Sequence, residues 1–232
     1  MGLFKKRFFR KANEKFDCFT HLSFALCIIK EARIYRERKN VVRKKTGGYD
    51  MLALGIDPGT AICGYGVVEM KGGVLRPVFY GSILTDKDWK PEERLRRIHQ
   101  DISDIVGHFH PDFMSIEKLY FNRNVNTAIP VAQARGVVLL AAAETNLPIL
   151  EFTPMQIKKS VTGTGAAEKK QVIFMVQRLL GIREKIEPDD TADALAAAIC
   201  GLNQARILQM QTKSGARIGE ILEAQKNPLS KR

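Results

Sequence analysis

The stretch LALGIDPGTAICGYGVVEM (52–70) decides the fold. Its two halves, LALGID (52–57) and GYGVVEM (64–70), are mostly apolar runs separated by a turn that contains proline and glycine. Short apolar runs bounded by turn residues are typical of β-strands. A third run of this kind extends from Val74 to Leu84. The three runs predict an antiparallel meander at the start of an α/β domain.

Helical and strand patterns alternate after the meander. The pattern predicts helices over 91–109, 125–146, 168–180 and 190–207, and strands over 113–117 and 147–152. Three strands followed by alternating helices and strands indicate a mixed five-stranded sheet flanked by helices. We therefore predict one α/β domain over 51–208, preceded by a basic extension over 1–50 and followed by a polar, flexible tail over 209–232.

The basic extension holds most of the excess positive charge. It contains 14 Lys+Arg against 5 Asp+Glu, a net of +9 out of +12 for the whole chain. Its apolar patch, 16–29, is shorter than the roughly 20 residues that a membrane span needs. Two interpretations stay open: a disordered arm that adds non-specific DNA affinity, or a natural start at Met51 with an over-long reading frame. We favour the second, because a strand begins directly after Met51.

The positions of the cysteines limit which metal sites and disulfide bonds the chain is expected to form. The four cysteines are scattered, without the paired spacing of a zinc site or a disulfide framework. This pattern is typical of a protein from a reducing compartment and argues against a structural zinc ion.

Acidic residues end two predicted strands and open the last helix. Asp57 ends the first strand and Glu117 ends FMSIE (113–117), although Asp-Pro-Gly at Asp57 is also ordinary turn chemistry. In PDDTADALAAAIC (188–200), Asp190 and Asp193 are three residues apart and share a helix face, whereas Asp189 is predicted to be the N-cap. Clustered carboxylates repel one another unless a cation joins them, and oxygen ligands suit Mg²⁺ or Mn²⁺. Such a site is able to hydrolyse a phosphodiester.

Five motifs together resemble the RuvC-type Holliday junction resolvases. They are LGIDPGTAICGYGVV, SIEKLYFNRN, AQARGVVLLAAAE, VTGTGAAEKKQV and PDDTADALAAAI, in the family's order and spacing over about residues 51–208. The resemblance implies a ribonuclease H-like fold and a homodimer that cuts four-way DNA junctions in recombination and repair. It further implies paired symmetric nicks with 5′-phosphates, two Mg²⁺ ions per site with Mn²⁺ as a substitute, and a RuvA–RuvB branch-migration partner. The implied location is the cytoplasm, on nucleoid DNA.

The resemblance also assigns roles to single residues. The family's catalytic, metal-binding acids fall on Asp57, Glu117, Asp190 and Asp193. Residues that the resemblance places at the DNA are Tyr120, which would stack on a base, and Arg123, Lys158 and Lys169, which would contact phosphates. For Tyr120 packing in the core or at its rim stays an alternative, and for Arg123 and Lys169 a solvated surface position does.

The helix over 125–146 is small and apolar nearly all round, which predicts burial on two sides. One side would face the sheet, and the resemblance implies that the other faces a second subunit. Pro130 is tolerated only in a first helical turn, so the helix is expected to start near Ile129 or to be kinked.

Two other classes of protein share parts of this pattern. Sugar-kinase-like and chaperone-like ATPases also open with a strand and a D-x-G-T turn, but they need a second phosphate-binding loop and a larger, two-lobed chain. A ribonuclease H-fold protein that binds nucleic acid without cutting it is disfavoured by the intact set of four acids.

Overall fold

The computed structural model describes residues 26–33, 50–119 and 125–212. The strands are β1 (Met51–Asp57), β2 (Ile62–Lys71), β3 (Val74–Leu84), β4 (Phe113–Glu117) and β5 (Ile149–Phe152). The helices are α1 (26–33), α2 (Pro91–Phe109), α3 (Val125–Glu144), α4 (Pro154–Thr162), α5 (Lys169–Leu180) and α6 (Asp189–Thr212). Within these ranges no helix combines the length and apolar character needed to cross a membrane.

The five strands form one mixed sheet in the order β3-β2-β1-β4-β5. β1, β2 and β3 pair in antiparallel fashion, as the meander predicts. β4 pairs with β1 and with β5 in parallel, so the carboxyl ends of these three strands lie at the same edge. The predicted mixed five-stranded sheet is confirmed, and it directs the ends of β1 and β4 to one place.

Helices cover both faces of the sheet. On one face, α4, α5 and α6 bury an apolar core that includes Val176, Leu195 and Ile199. On the other face, α2 and α3 bury a second core that includes Ile102 and Val138. The apolar stripe of α2, predicted over 91–109, lies in this second core, as its spacing requires.

The extension contributes a helix to the second core. In α1 the side chains of Ile28 and Ala32 are 0% and 1% exposed, and they belong to the cluster that contains Leu52 and Tyr65. Their spacing of four residues places both on one helix face. The expectation of a disordered arm is therefore wrong for residues 26–33. The rest of the extension lies outside the described residues.

Several boundaries differ from the predicted ones. The helix α4 was not predicted, although Thr153 and Gln156 form a capping box with bonds of 3.1 and 2.8 Å. α3 begins at Val125 with Pro130 inside it, so the expected start near Ile129 is wrong. α6 continues to Thr212, four residues into the segment expected to be a flexible tail, and residues 213–232 lie outside the described part of the chain.

Candidate active site

Two parallel strands bring the first two acids together. The register pairs Ile56 of β1 with Ile116 of β4, so the next residues, Asp57 and Glu117, lie beside each other at the sheet edge. β1 and β4 are buried up to their last residue, where burial becomes partial. Each strand therefore carries its carboxylate from the core to a partly covered rim.

The first two turns of α6 add the other two acids, Asp190 and Asp193. Gly64, which pairs with Asp57, lies so close to α6 that a β-carbon there would stand 2.0 Å from the carbonyl oxygen of Asp190. A β-carbon on Gly55 would likewise stand 2.0 Å from the carbonyl oxygen of Ala194. Glycine in the sheet thus lets the helix backbone rest directly on β1 and β2. Asp57, Glu117, Asp190 and Asp193 are called the acid cluster below.

Two hydrogen bonds fix α6 along the sheet. The hydroxyl groups of Ser82 on β3 and Thr191 on α6 are 2.7 Å apart. Ser115 on β4 donates its hydroxyl to the carbonyl oxygen of Ala197 at 2.5 Å, and both Ser115 and Thr191 are almost completely buried. Buried hydroxyls of this kind need partners, and here the partners hold the helix in register with the strands.

The acid cluster is one electrostatic unit. Burial, followed by the charges of Asp193, Asp190 and Glu117, raises the pKa of Asp57 from 3.8 to about 7, while Lys169 opposes the shift. Burial, followed by the charge of Asp193, also raises the pKa of Glu117, while Lys158 opposes the shift. Groups of like charge that disfavour one another's ionised form are typical of functional sites. The arrangement would gain stability from a bound cation.

Lys169, the first residue of α5, supplies one cation to the cluster. Its ammonium nitrogen lies 3.1 Å from Asp193 Oδ2 and 3.4 Å from Asp189 Oδ2. Partial burial lowers the pKa of Lys169, but Asp193 and Asp189 outweigh this and raise it. Burial raises the pKa of Asp193, and Lys169 opposes that shift.

Asp189 does not occupy the N-cap position that was predicted for it. The helix α6 begins at Asp189, and the carbonyl oxygen of the preceding Pro188 accepts a hydrogen bond from the N–H of Thr191 at 3.0 Å. Asp189 therefore lies in the first turn, where its charge suits the helix dipole and pairs with Lys169.

The donor set of the acid cluster fits a hard divalent cation. Carboxylate oxygens are the ligands that Mg²⁺ and Mn²⁺ prefer. In the described ranges, however, no three such side chains already stand close enough together to hold one ion. Metal binding thus requires the carboxylates to converge, with Asp193 turning away from Lys169.

The residues predicted to contact DNA have different surroundings. Lys158, on α4, is half-buried and close enough to Glu117 to lower its pKa, while Lys169 is exposed beside the acid cluster. Gly163 ends α4 with a φ of 82°, a conformation that favours glycine. Tyr120 and Arg123 lie outside the described residues.

Sequence reasoning did not single out Arg135 in α3. This arginine is only 9% exposed, and it donates from Nη1 to the carbonyl oxygen of Glu117 at 2.7 Å. Its partners are 16 and 18 residues away along the chain, so no local spacing pointed to the contact.

Comparison with known proteins supports one family. A family model described as crossover junction endodeoxyribonuclease RuvC matches residues 53–201. The crossover junction endodeoxyribonuclease RuvC of Moorella thermoacetica is 52% identical over 150 residues, which cover 65% of this chain and 90% of that protein. The protein of the same description from Desulforamulus reducens is 49% identical over 150 residues, covering 65% of this chain and 92% of its own.

A solved structure agrees with the sequence comparisons. The RuvC of T. thermophilus in complex with a Holliday junction substrate superposes with a TM-score of 0.65 and 36% identity. The match covers 68% of this chain and 96% of that chain. The ribonuclease H-like fold that the motifs implied is confirmed.

Proposed function

Because the chain belongs to the RuvC family of crossover junction endodeoxyribonucleases, it is a Holliday junction resolvase, and we propose that the acid cluster is its catalytic centre. It is a hydrolase that cuts DNA in recombination and repair. The observation that carries the proposal is that β1, β4 and the start of α6 bring four carboxylates to one sheet edge, where burial and the neighbouring carboxylates together raise the pKa of Asp57 to about 7. Isolated surface carboxylates would not disfavour one another's charge in this way.

Nucleases of this family depend on metal ions, and among the described residues the acid cluster offers carboxylate ligands for them. We propose Mg²⁺, with Mn²⁺ as a substitute, and two ions per site. When bound, such ions neutralise the carboxylates and withdraw charge from a phosphodiester. Asp57 must lose its proton to act as a ligand, and Asp193 must exchange its ion pair with Lys169 for the metal.

The basic residues around the acid cluster would hold the DNA backbone. Lys169, once it leaves Asp193, is free to meet a phosphate oxygen, and Lys158 approaches from the Glu117 side. Both would act as point charges that favour the developing negative charge on phosphorus. Water attack then breaks the bond to the 3′ oxygen, which takes a proton, and leaves a 5′-phosphate that a ligase can seal. Base stacking by Tyr120 and a phosphate contact by Arg123 stay predictions.

We propose that two copies act together through α3. Ile129 and Leu140 on this helix are 54% and 51% exposed, while Ala134 and Val138 on its other side are fully buried. An apolar face of this kind suits a second, identical helix. A dimer would present two acid clusters and so produce paired nicks. RuvA–RuvB stays the proposed branch-migration partner, and the cytoplasm, on nucleoid DNA, the proposed location.

A synthetic mobile four-way junction tests the catalytic assignment. The wild-type protein with Mg²⁺ is expected to give symmetric nicks on two strands of like polarity. Asp57→Asn and Glu117→Gln remove one ligand charge each, so cutting should be abolished while junction binding in Ca²⁺ is kept. Exposed Glu92→Gln in α2 is a matched control, since it changes a carboxylate outside the acid cluster. Cutting by either acid-cluster variant at the wild-type rate would refute the assignment.

A further inference from the structure

Arg135 is a buried cation beside the acid cluster. Charged side chains are almost never buried unless they are paired, because desolvation costs several kcal/mol. Arg135 is 9% exposed and has two partners. One is the carboxylate of Glu151 on β5, and the other is the carbonyl oxygen of Glu117 on β4. A single guanidinium therefore connects α3 to the ends of two neighbouring strands, to the backbone of β4 and to a side chain of β5.

The contact with Glu117 fixes a particular peptide group. The N–H of Lys118 donates to the carbonyl oxygen of Phe152 at 2.7 Å. The carbonyl oxygen of Glu117, in the same peptide group, accepts from Arg135 Nη1 at 2.7 Å. Both polar atoms of the Glu117–Lys118 peptide are thus held, one by β5 and one by α3. These two hydrogen bonds restrain the backbone of Glu117 at the point where β4 ends.

A basic residue in a nuclease suggests a phosphate contact, but the burial of Arg135 opposes that role. A phosphate would have to reach a side chain that is 9% exposed and displace Glu151 from it. The planar, fork-shaped guanidinium is suited to two acceptors at once, and lysine cannot reproduce this geometry.

We propose that Arg135 is a positioning residue, which holds the backbone of Glu117 so that its carboxylate faces Asp57 and Asp193. The proposal rests on the catalytic role proposed for the acid cluster. Residues that orient metal ligands without touching the metal typically change metal affinity or activity by about 10- to 100-fold when they are replaced.

The test compares Arg135→Met and Arg135→Lys with Arg97→Met. Arg97 is a matched control, because its side chain is covered to a similar extent and also pairs with a carboxylate, that of Asp101 at 2.5 Å, but within α2. Mn²⁺ binding is measured by calorimetry without DNA, and single-turnover cleavage of a four-way junction is measured with saturating Mg²⁺. The salt dependence of junction binding in Ca²⁺ is the third readout. All are taken at a temperature where circular dichroism shows each variant to be folded.

We expect Arg135→Met to bind Mn²⁺ about 10-fold more weakly and to cut about 10- to 100-fold more slowly. Arg135→Lys should recover part of the lost Mn²⁺ affinity and part of the lost cleavage rate, because its single ammonium reaches one acceptor. If Arg135→Met does not fold, Arg135→Lys serves as the test. Arg97→Met should match the wild type in both. The slope of log affinity against log salt should be unchanged in every variant.

Two results would overturn the proposal. A slope reduced by about 0.9 in Arg135→Met, with the wild-type slope kept in Arg135→Lys, would make Arg135 a phosphate contact. Mn²⁺ affinity and cleavage equal to those of Arg97→Met would leave it only a stabilising role. If the wild type itself does not cut the junction, the proposed function fails, and the Mn²⁺ comparison still decides whether Arg135 positions Glu117.

Discussion

Replacing Gly64 by alanine tests the packing that places Asp190 and Asp193. The added β-carbon would lie 2.0 Å from the carbonyl oxygen and 2.5 Å from the carbonyl carbon of Asp190, whereas ordinary contact begins at 3.4 Å. Both atoms belong to the backbone, so no side chain is able to rotate away. The first turn of α6 must therefore retreat from β2 by on the order of 1 Å.

The displacement has a cost in stability and a larger one in catalysis. Overpacking of this kind destabilises a fold by about 1–3 kcal/mol. A misplacement of about 1 Å in a catalytic group costs on the order of 100-fold in rate. We expect Gly64→Ala to cut a four-way junction about 100-fold more slowly in single-turnover assays with Mg²⁺, measured at a temperature where it remains folded.

Gly107→Ala is the matched control. Gly107 lies in α2, and a β-carbon there meets no atom within 4 Å, so its replacement should leave cutting unchanged and stabilise the helix by up to about 1 kcal/mol. Cutting by folded Gly64→Ala at the wild-type rate would show that the separation of α6 from β2 does not set the geometry of the acid cluster.

Three further predictions concern charge and the extension. Because the pKa of Asp57 is raised from 3.8 to about 7, the folded state keeps a proton that the unfolded state releases. The free energy of unfolding without metal should therefore fall as pH rises from 4 to 7, by on the order of 1 kcal/mol per pH unit at most, and urea titration of Asp57→Asn should show a flatter profile. Lys169→Met should bind Mn²⁺ about 2- to 5-fold more tightly in calorimetry without DNA, since the competing ammonium is gone, yet cut more slowly; weaker Mn²⁺ binding would contradict this. Ile28→Ala should cost about 2–4 kcal/mol in urea unfolding, whereas neighbouring Ile29→Ala, 47% exposed in the wild type, should cost little; equal, small effects would show that α1 does not stabilise the core.

The sheet and the position of its acids could be predicted because the signals are local. β1 and β4 are short apolar runs that each end in a carboxylate, and parallel pairing brings such ends together. The last helix was predictable for the same reason, since Asp190 and Asp193 precede a run of small apolar residues. What pattern alone could not supply was the closeness of α6 to β2, which depends on Gly64 meeting backbone 126 residues away.

The structural features that the sequence did not predict have physical causes of different kinds. The helix α4 is nine residues long and mostly polar, so it lacks a strong apolar stripe, although the capping residues Thr153 and Gln156 were a usable signal. Asp189 lies one position inside the helix because the carbonyl oxygen of Pro188 already accepts the first bond. Arg135 was missed because its contacts join separate elements. The packing of α1 was missed because the basic charge around it resembles that of an unfolded arm.

In the proposed dimer, two acid clusters, one in each copy, cut a Holliday junction in pairs with metal. A supercoiled plasmid that extrudes a cruciform measures this directly, because paired cuts within one encounter give linear product and single cuts give nicked circles. With Mg²⁺ the wild-type protein should give mainly linear, ligatable product, and Asp57→Asn should give neither. Accumulation of nicked circles alone by the wild type would contradict paired cutting, and linear product from Asp57→Asn would contradict the catalytic role of the acid cluster.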